Sequence, residues 1–313
     1  MYDAIIIGGG PGGLTAGIYA SRANMKVLLI RSAFKPSLIT TTDLIENYPG
    51  FPDPISGFEL TQRFEKQAKN FGSEFLTASV QSVRKEGNLF TIDTSAGKLT
   101  SYAVIIATGA RHRTLGVPGE KELSGKGVSY CATCDGPFFR NQKMLVVGGG
   151  DAACDEAMFL SKLTDKIIHI HRRDRFRAQK ALAERVLNNP HIEVRFNTIV
   201  ERIEGIKNPM GIEKVHKVIL KQVDTGRVYE EEVAAVFVFI GSDPNAGFID
   251  IVEKDENGYI ITDQRMQTNI HGIFSAGDVR NTPFRQLVVA AGEGAIAAHA
   301  ASQYIDELLG QAY

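Results

Sequence analysis

Two stretches of this chain follow one design, and that repetition constrains the fold more than any other feature. DAIIIGGGPGGLTAGIYASRANMKVLLIR covers residues 3–31, and QKMLVVGGGDAACDEAMFLSKLTDKIIHIHRR covers residues 142–173. Each reads as an apolar strand, a glycine turn, an amphipathic helix and a second apolar strand. Gly8-x-Gly10-x-x-Gly13 fits the dinucleotide fingerprint, and Gly148-x-Gly150-x-x-Ala153 fits its Gly/Ala variant. A helix start offers oriented N–H groups to a pyrophosphate, and glycine lets the backbone come close to it. Glycine turns before helices are common, so one such motif is weak. Both copies here lie between a strand and a helix that leads to another strand. A single nucleotide-binding fold does not need two such units, so two bound nucleotides are expected.

Between the two copies, residues 104–107 read as a buried strand ending in Thr108-Gly109. Gly116-Val117-Pro118-Gly119 then punctuates the chain, and Gly241-Ser242-Asp243-Pro244-Asn245 does so again after the apolar run VAAVFVFI. Beyond it, IHGIFSAGDV is one more strand running into a glycine and an acid. The pattern predicts an α/β protein of two Rossmann-like three-layer dinucleotide-binding domains, the second inserted into the first. The expected boundaries are 1–115 with 245–313 for the outer domain and 116–244 for the inner one. The two crossings would act as hinges.

The acid expected at the end of the second strand of each unit is missing. In the second unit that strand runs into His171-Arg172-Arg173-Asp174-Arg175-Phe176-Arg177. Guanidinium forks there suit a 2′-phosphate, and no carboxylate repels one, which favours NADPH over NADH. A solvated basic strip or a nucleic-acid patch is the plainer alternative. In the first unit Arg31 stands in the acid's place.

YCATCDG, residues 130–136, holds two of the three cysteines. Lys+Arg (35) nearly balances Asp+Glu (36), so no overall field draws the chain to nucleic acid or a membrane. The opening MYDAIIIGGGPGG lacks a signal-peptide pattern, and residues 233–241, the longest apolar run, are strand length. A cytoplasmic, reducing setting is expected, where CxxC reads as catalytic or metal-binding. Zinc would need two more ligands, and the seven histidines show no HxxxH spacing, so no metal is expected. A disulfide over so short a loop is a poor staple. A chance pair stays possible, but Asp135 beside Cys134 is a group that thiol exchange uses to move a proton. Cys154 reads as a small core residue. A pair cycling between dithiol and disulfide takes two electrons, the number a hydride delivers, and flavin is the cofactor that links the two.

YCATCDG, GGGDAA, HRRDRFRA, ATGA, ENYPG, AGDV and Arg285-Gln286, in this order and spacing, resemble the low-molecular-weight thioredoxin reductases. These motifs run from Gly8 to Gly294, and the cysteine pair in the inner domain is specific to that group. The resemblance implies an FAD domain from both chain ends, a central NADPH domain that rotates, a homodimer, and thioredoxin as the protein substrate. It implies that Gly8, Gly10, Pro11 and Gly13 face the FAD pyrophosphate, with Asn47, Thr108, Gly109, Gly277, Asp278, Arg285 and Gln286 around the rest of that cofactor. Asp278 would hold the ribityl chain. Gly148, Gly150, Asp151, Ala152, Arg172, Arg173 and Arg177 would hold NADPH. Cys134 would face the flavin, Cys131 would attack the partner disulfide, and Asp135 would serve as acid/base.

This sequence departs from the family in three places. Pro36-Ser37-Leu38 replaces a Gly-Gly-Gln before Ile39-Thr40-Thr41-Thr42, Arg31 holds the acid's position, and Pro137 replaces an aromatic residue. Altered contacts to FAD are therefore expected. Phe138 and Phe139 read equally as a docking surface or as core. Three other readings stay open. One is reduction of a different disulfide carrier, such as a glutaredoxin-like or peroxiredoxin-linked protein. Another is direct donation by a protein such as ferredoxin, which leaves GGGDAA and HRRDRFR without a use. The last is a flavoprotein that senses redox state without turning over.

Overall fold

The computed structural model describes residues 1–32, 37–41, 45, 47–207, 211 and 213–310. Pro36 and Thr42 lie outside the described residues. The chain forms two compact units, Met1–Arg111 with Asp243–Tyr313, and His112–Ser242.

In the first unit, strands Glu74–Thr77, Val27–Arg31, Tyr2–Ile7 and Gly97–Ile106 lie side by side and parallel. Ile5 stands beside Leu28 on one side and Val104 on the other. Residues 4–7, 27–30 and 103–106 are apolar at successive positions because both faces of the sheet are covered there. Ala4, Ile6, Leu29 and Ile105 pack against Leu14, Leu60, Phe64 and Ala297 from helices Pro11–Arg22, Gly57–Asn70 and Leu287–Leu308. Ile5, Ile7, Leu28 and Ile106 pack on the opposite side against Val83, Phe90 and Ile92. Those last three come from the antiparallel strands Val80–Glu86 and Leu89–Thr94. The third layer is thus a β-meander instead of a second set of helices. Strand Gly97–Ile106 makes the junction. Its first half pairs antiparallel with Leu89–Thr94, and its last three residues pair parallel with Ile273–Ser275.

The second unit repeats the layers. Its parallel sheet runs Ile192–Arg195, Ile167–Ile170, Met144–Gly148, Ala235–Phe239, Val128–Ser129. Met144, Val146, Ile167 and Phe237 face helix Asp151–Leu160 through Cys154, Ala157 and Leu160. Leu145, Val147, Ile168 and Val236 face Val200, Ile203, Val215 and Val218 of the meander Thr198–Lys207, Glu213–Gln222, Val228–Glu232. Alternate residues of one strand therefore serve different cores, the period of two of a pleated strand.

Helices Pro11–Arg22 and Leu287–Leu308 cross closely at Gly12 and Gly294. A Cβ on Gly294 would lie 2.1 Å from the Gly12 carbonyl oxygen, whereas one on the exposed Gly292 would meet nothing within 4 Å. Gly294→Ala is expected to lower stability by about 2 kcal/mol through forced backbone displacement. Gly292→Ala is expected to raise it by about 0.5–1 kcal/mol through helix propensity. Urea midpoints of the two variants check this, and equal shifts would refute the packing account.

Candidate redox site and nucleotide turns

Cys131 and Cys134 form a disulfide with Cα atoms 5.3 Å apart. The intervening chain is the single helical turn Ala132–Asp135, with Cys131 as its N-cap. Cys131 Sγ accepts the Cys134 N–H at 3.3 Å, and the Cys131 carbonyl accepts the Asp135 N–H at 3.1 Å. The buried Ser129 fixes the Cys131 backbone, with Oγ accepting the Cys131 N–H at 3.1 Å and donating to the Cys131 carbonyl at 3.2 Å. Both cysteines and Asp135 are half-buried, so the pair is held firmly yet reachable. Gly136 seats the turn, since a Cβ there would lie 2.7 Å from Leu160. Pro137 opens the following 3-10 turn, Gly136–Phe139, where its missing N–H does no harm. Phe139 packs edge-on against Phe237 at 6.2 Å, while Phe138 is exposed. Cys154 is fully buried. Burial, with the charges of Asp151 and Asp155 adding to it, pushes its thiol up to about 11, so it stays neutral and inert near pH 7.

Immediately before the pair, the buried carboxylate of Glu120 gathers three donors. Its Oε1 accepts the Leu115 N–H at 2.8 Å and the Tyr130 hydroxyl at 2.9 Å, and its Oε2 accepts the Gly116 N–H at 2.8 Å. Burial, with Glu120 adding to it, pushes the Tyr130 phenol well up, so Tyr130 remains a donor. The His112 ring stacks on Tyr130 at 5.2 Å.

The glycine turn of the same unit leads into helix Asp151–Leu160, whose N-cap Gly150 makes no side-chain cap. Nothing lies within 4 Å of where a Gly150 Cβ would be, so the helix start is open. The loop with the arginines folds back onto this turn. Arg177 N–H and Ala178 N–H both donate to the Gly149 carbonyl, at 2.6 and 3.2 Å. Asp151 accepts the Gln179 N–H at 2.7 Å and its side-chain amide at 3.3 Å. Phe176 pins the loop inward, with its ring 4.7 Å from His169 and 5.0 Å from Phe196. Arg172, Arg173, Arg175 and Arg177 remain exposed, and among the described residues no carboxylate forms an ion pair with them. The ring of His171 sits where a Gly149 Cβ would be, and its Nε2 is buried without a hydrogen-bond partner. Burial, reinforced by Arg177, Arg173 and Arg172, holds His171 below the usual imidazole range and therefore neutral.

In the first unit, Gly8 has φ +126°, and a Cβ on it would lie 2.1 Å from the Ala107 carbonyl oxygen. Gly10 is the uncapped N-cap of helix Pro11–Arg22, Pro11 opens that helix, and no acid lies in its first turn. A Cβ on Gly13 would lie 1.9 Å from the Gly8 carbonyl oxygen. Thr108 and Gly109 are clasped by Asn245. Thr108 Oγ1 donates to the Asn245 carbonyl at 2.7 Å, Asn245 Nδ2 donates to the Thr108 carbonyl at 3.0 Å, and Asn245 N–H donates to Gly109 at 2.9 Å. Asn47 Nδ2 donates to Gln286 Oε1 at 3.1 Å across 239 positions of sequence. The Arg285 guanidinium lies 4.3 Å over the Tyr259 ring. Gly277 N–H donates to the buried Glu293 at 2.7 Å, and Glu293 also binds Arg280 and Thr282. Burial pushes the carboxyl of Asp278 up to about 6, against the pull of Arg285 and with some help from Glu293.

A chain with an exchangeable disulfide and two glycine turns of this build has many counterparts. The family model described as pyridine nucleotide-disulphide oxidoreductase matches residues 2–294. The chain belongs to that family. A thioredoxin reductase of Treponema pallidum (strain Nichols) is 52% identical over 98% of both chains. The crystal structure of thioredoxin reductase from Streptococcus pyogenes MGAS5005 is 42% identical, with a TM-score of 0.91 over 98% of this chain and 99% of that one. A Lactococcus lactis thioredoxin reductase described as an FR conformation is 40% identical, with a TM-score of 0.66 over 98% of this chain and all (100%) of that one. Within the oxidoreductase family, this chain stands with the thioredoxin reductases.

The departures from the family pattern now have partners. Arg31 donates to Glu65 Oε2 at 2.6 Å, so the residue at the acid's position is paired with a carboxylate from helix Gly57–Asn70. Burial opposes ionisation of Glu65, but Lys69 and Arg31 outweigh it and hold the carboxyl below its usual range. A Cβ on Gly9 would lie 3.1 Å from the Arg31 side chain, so the residue at the acid's position packs on the middle glycine in both units. Ser37 Oγ lies 3.2 Å from where a Gly10 Cβ would be, and Leu38 is exposed. Glu65, Glu120, Asn245 and Glu293 were not foreseen as site residues. The partners of Glu65, Asn245 and Glu293 lie on separate elements, and GVPGE and GSDPN read only as punctuation. Glu120→Gln is expected to lower the stability of the unit by about 2 kcal/mol, because an amide nitrogen would then face a backbone N–H. Tyr130→Phe, which removes one donor, is expected to cost about 1 kcal/mol. Denaturant unfolding that ranks the two in the other order would contradict the clasp.

Proposed function

We propose that this chain is an NADPH-dependent thioredoxin-disulfide reductase that uses FAD and the Cys131–Cys134 pair. One observation carries the reading furthest: the disulfide and the unpaired arginine loop belong to the same compact unit. That unit would hold both the electron source and the exit thiols, so it must present each in turn to a flavin held elsewhere. The relative described as an FR conformation supports rotation of such units within the family.

The residues fit the two nucleotides. The uncapped helix start at Gly10, free of acids, suits the FAD pyrophosphate, with Asp278, Arg285, Gln286 and Asn47 around the remainder. The open helix start at Gly150 suits the NADPH pyrophosphate, and Arg172, Arg173 and Arg177 suit its 2′-phosphate. FAD, when bound, supplies two-electron transfer between a nicotinamide and a disulfide. The chain's own residues position and exchange. Ser129 and the N-cap geometry hold Cys131, Cys131 would attack the substrate disulfide, and Asp135 would move the proton of Cys134. Domains 1–115 with 245–313 and 116–244 would be the FAD and NADPH domains. A homodimer in the cytoplasm, with thioredoxin as substrate, completes the reading. Among the described residues no helix is long and apolar enough to cross a membrane.

Cys131→Ser is expected to abolish thioredoxin reduction while the flavin spectrum is retained. Surviving activity would sink the assigned roles. In an anaerobic titration, NADPH should bleach the flavin at far lower concentration than NADH. Arg172→Ala with Arg173→Ala should narrow that gap by about a hundredfold, as lost charge-assisted phosphate contacts require.

A further inference from the structure

The sulfur of Cys131 is contacted by a second donor that the exchange reaction described above does not use. Thr133 Oγ1 lies 3.4 Å from Cys131 Sγ, beside the Cys134 N–H at 3.3 Å. A sulfur in a disulfide carries no proton, so the hydroxyl is the donor. A disulfide sulfur accepts weakly and a thiolate accepts strongly, so both contacts strengthen when the pair is reduced. The His112 ring stacks on Tyr130, the residue just before the pair. The turn Ala132–Asp135 and the elements packed against it, Gly136–Phe139 and Asp151–Leu160, carry the acids Asp135, Asp151, Asp155 and Glu156 and no Lys, Arg or His. Tyr130, just before the pair, directs its hydroxyl to Glu120 instead. The contacts shown on the Cys131 sulfur are from neutral dipoles, the Thr133 hydroxyl and the Cys134 N–H.

We propose that Thr133 is a catalytic residue whose hydroxyl, together with the Cys134 N–H, holds Cys131 as a thiolate and so selects it as the attacking sulfur. The proposal rests on the reading of the pair as a thiol–disulfide exchange centre. In the exchange, the Cys131 thiolate bonds to one substrate sulfur as the substrate S–S bond breaks and the other sulfur leaves as a thiolate. Cys134, giving its proton to a base, then bonds to Cys131 Sγ and displaces the first substrate sulfur. Two electrons pass from the pair to the substrate, whose two thiolates take up protons. Thr133 would act at the first step, when the charge sits on Cys131.

The test uses the full-length Cys134→Ser chain, in which Cys131 is the lone thiol of the pair and residue 134 keeps its N–H. Iodoacetamide alkylation of Cys131 is followed by peptide mass spectrometry across a pH series. Adding Thr133→Ala is expected to slow alkylation about threefold to tenfold at neutral pH and move the rise of the profile to higher pH, with no loss at the alkaline plateau. Thr133→Ser is expected to restore the original profile. An unchanged profile in the alanine variant, or failure of serine to restore it, overturns the proposal. A urea midpoint matching the parent shows that each variant is folded. The readout needs neither nucleotide nor protein substrate, so it can fail while the Cys131→Ser result still upholds the reductase, and the reverse.

Discussion

Each unit depends on a glycine at the end of its central strand, where the backbone passes against a neighbouring strand with no room for a side chain. A Cβ on Gly8 would lie 2.1 Å from the Ala107 carbonyl oxygen, and one on Gly148 would lie 2.4 Å from that of Phe239. This contact lets the chain turn directly from strand to helix and leaves the helix start facing outward above the sheet. The helices then cover one face of the sheet and a meander covers the other. Gly10 and Gly150 are the N-caps of the helices that begin at these two openings.

Two buried acids, Glu293 and Glu120, each gather several donors. Glu293 ties Gly277 to Arg280 and Thr282, and Glu120 ties Leu115 and Gly116 to Tyr130. A buried carboxylate is costly unless its lone pairs are met, so each of these positions tolerates little variation in the surrounding backbone. The result is rigidity where the chain carries AGDV and where it approaches YCATCDG. Rigid support of this kind holds a reacting group within a fraction of an ångström of its place.

The reactive pair and the arginine loop belong to one compact unit. The Cys131 sulfur is contacted by the Thr133 hydroxyl and the Cys134 N–H. The guanidinium groups of the loop are exposed, while Phe176 is buried against His169 and Phe196. The neutral His171 beneath them adds no charge of its own.

The sequence by itself determined the strand–turn–helix–strand repeats, the insertion of one unit in the other, and the pairing of two cysteines next to an acid. These follow from short-range rules: strand apolarity, glycine spacing and neighbours within a few residues. Its motifs also carried the resemblance to the thioredoxin reductases. Only the tertiary structure decided that Glu65 answers Arg31, that Asn245 clasps Thr108 and Gly109, and that Asn47 meets Gln286. It also revealed that alternate residues of one strand serve a helical layer and a meander layer. Such pairings join elements tens to hundreds of residues apart. No local period encodes them, because the geometry that brings the partners together exists only once the sheets have formed.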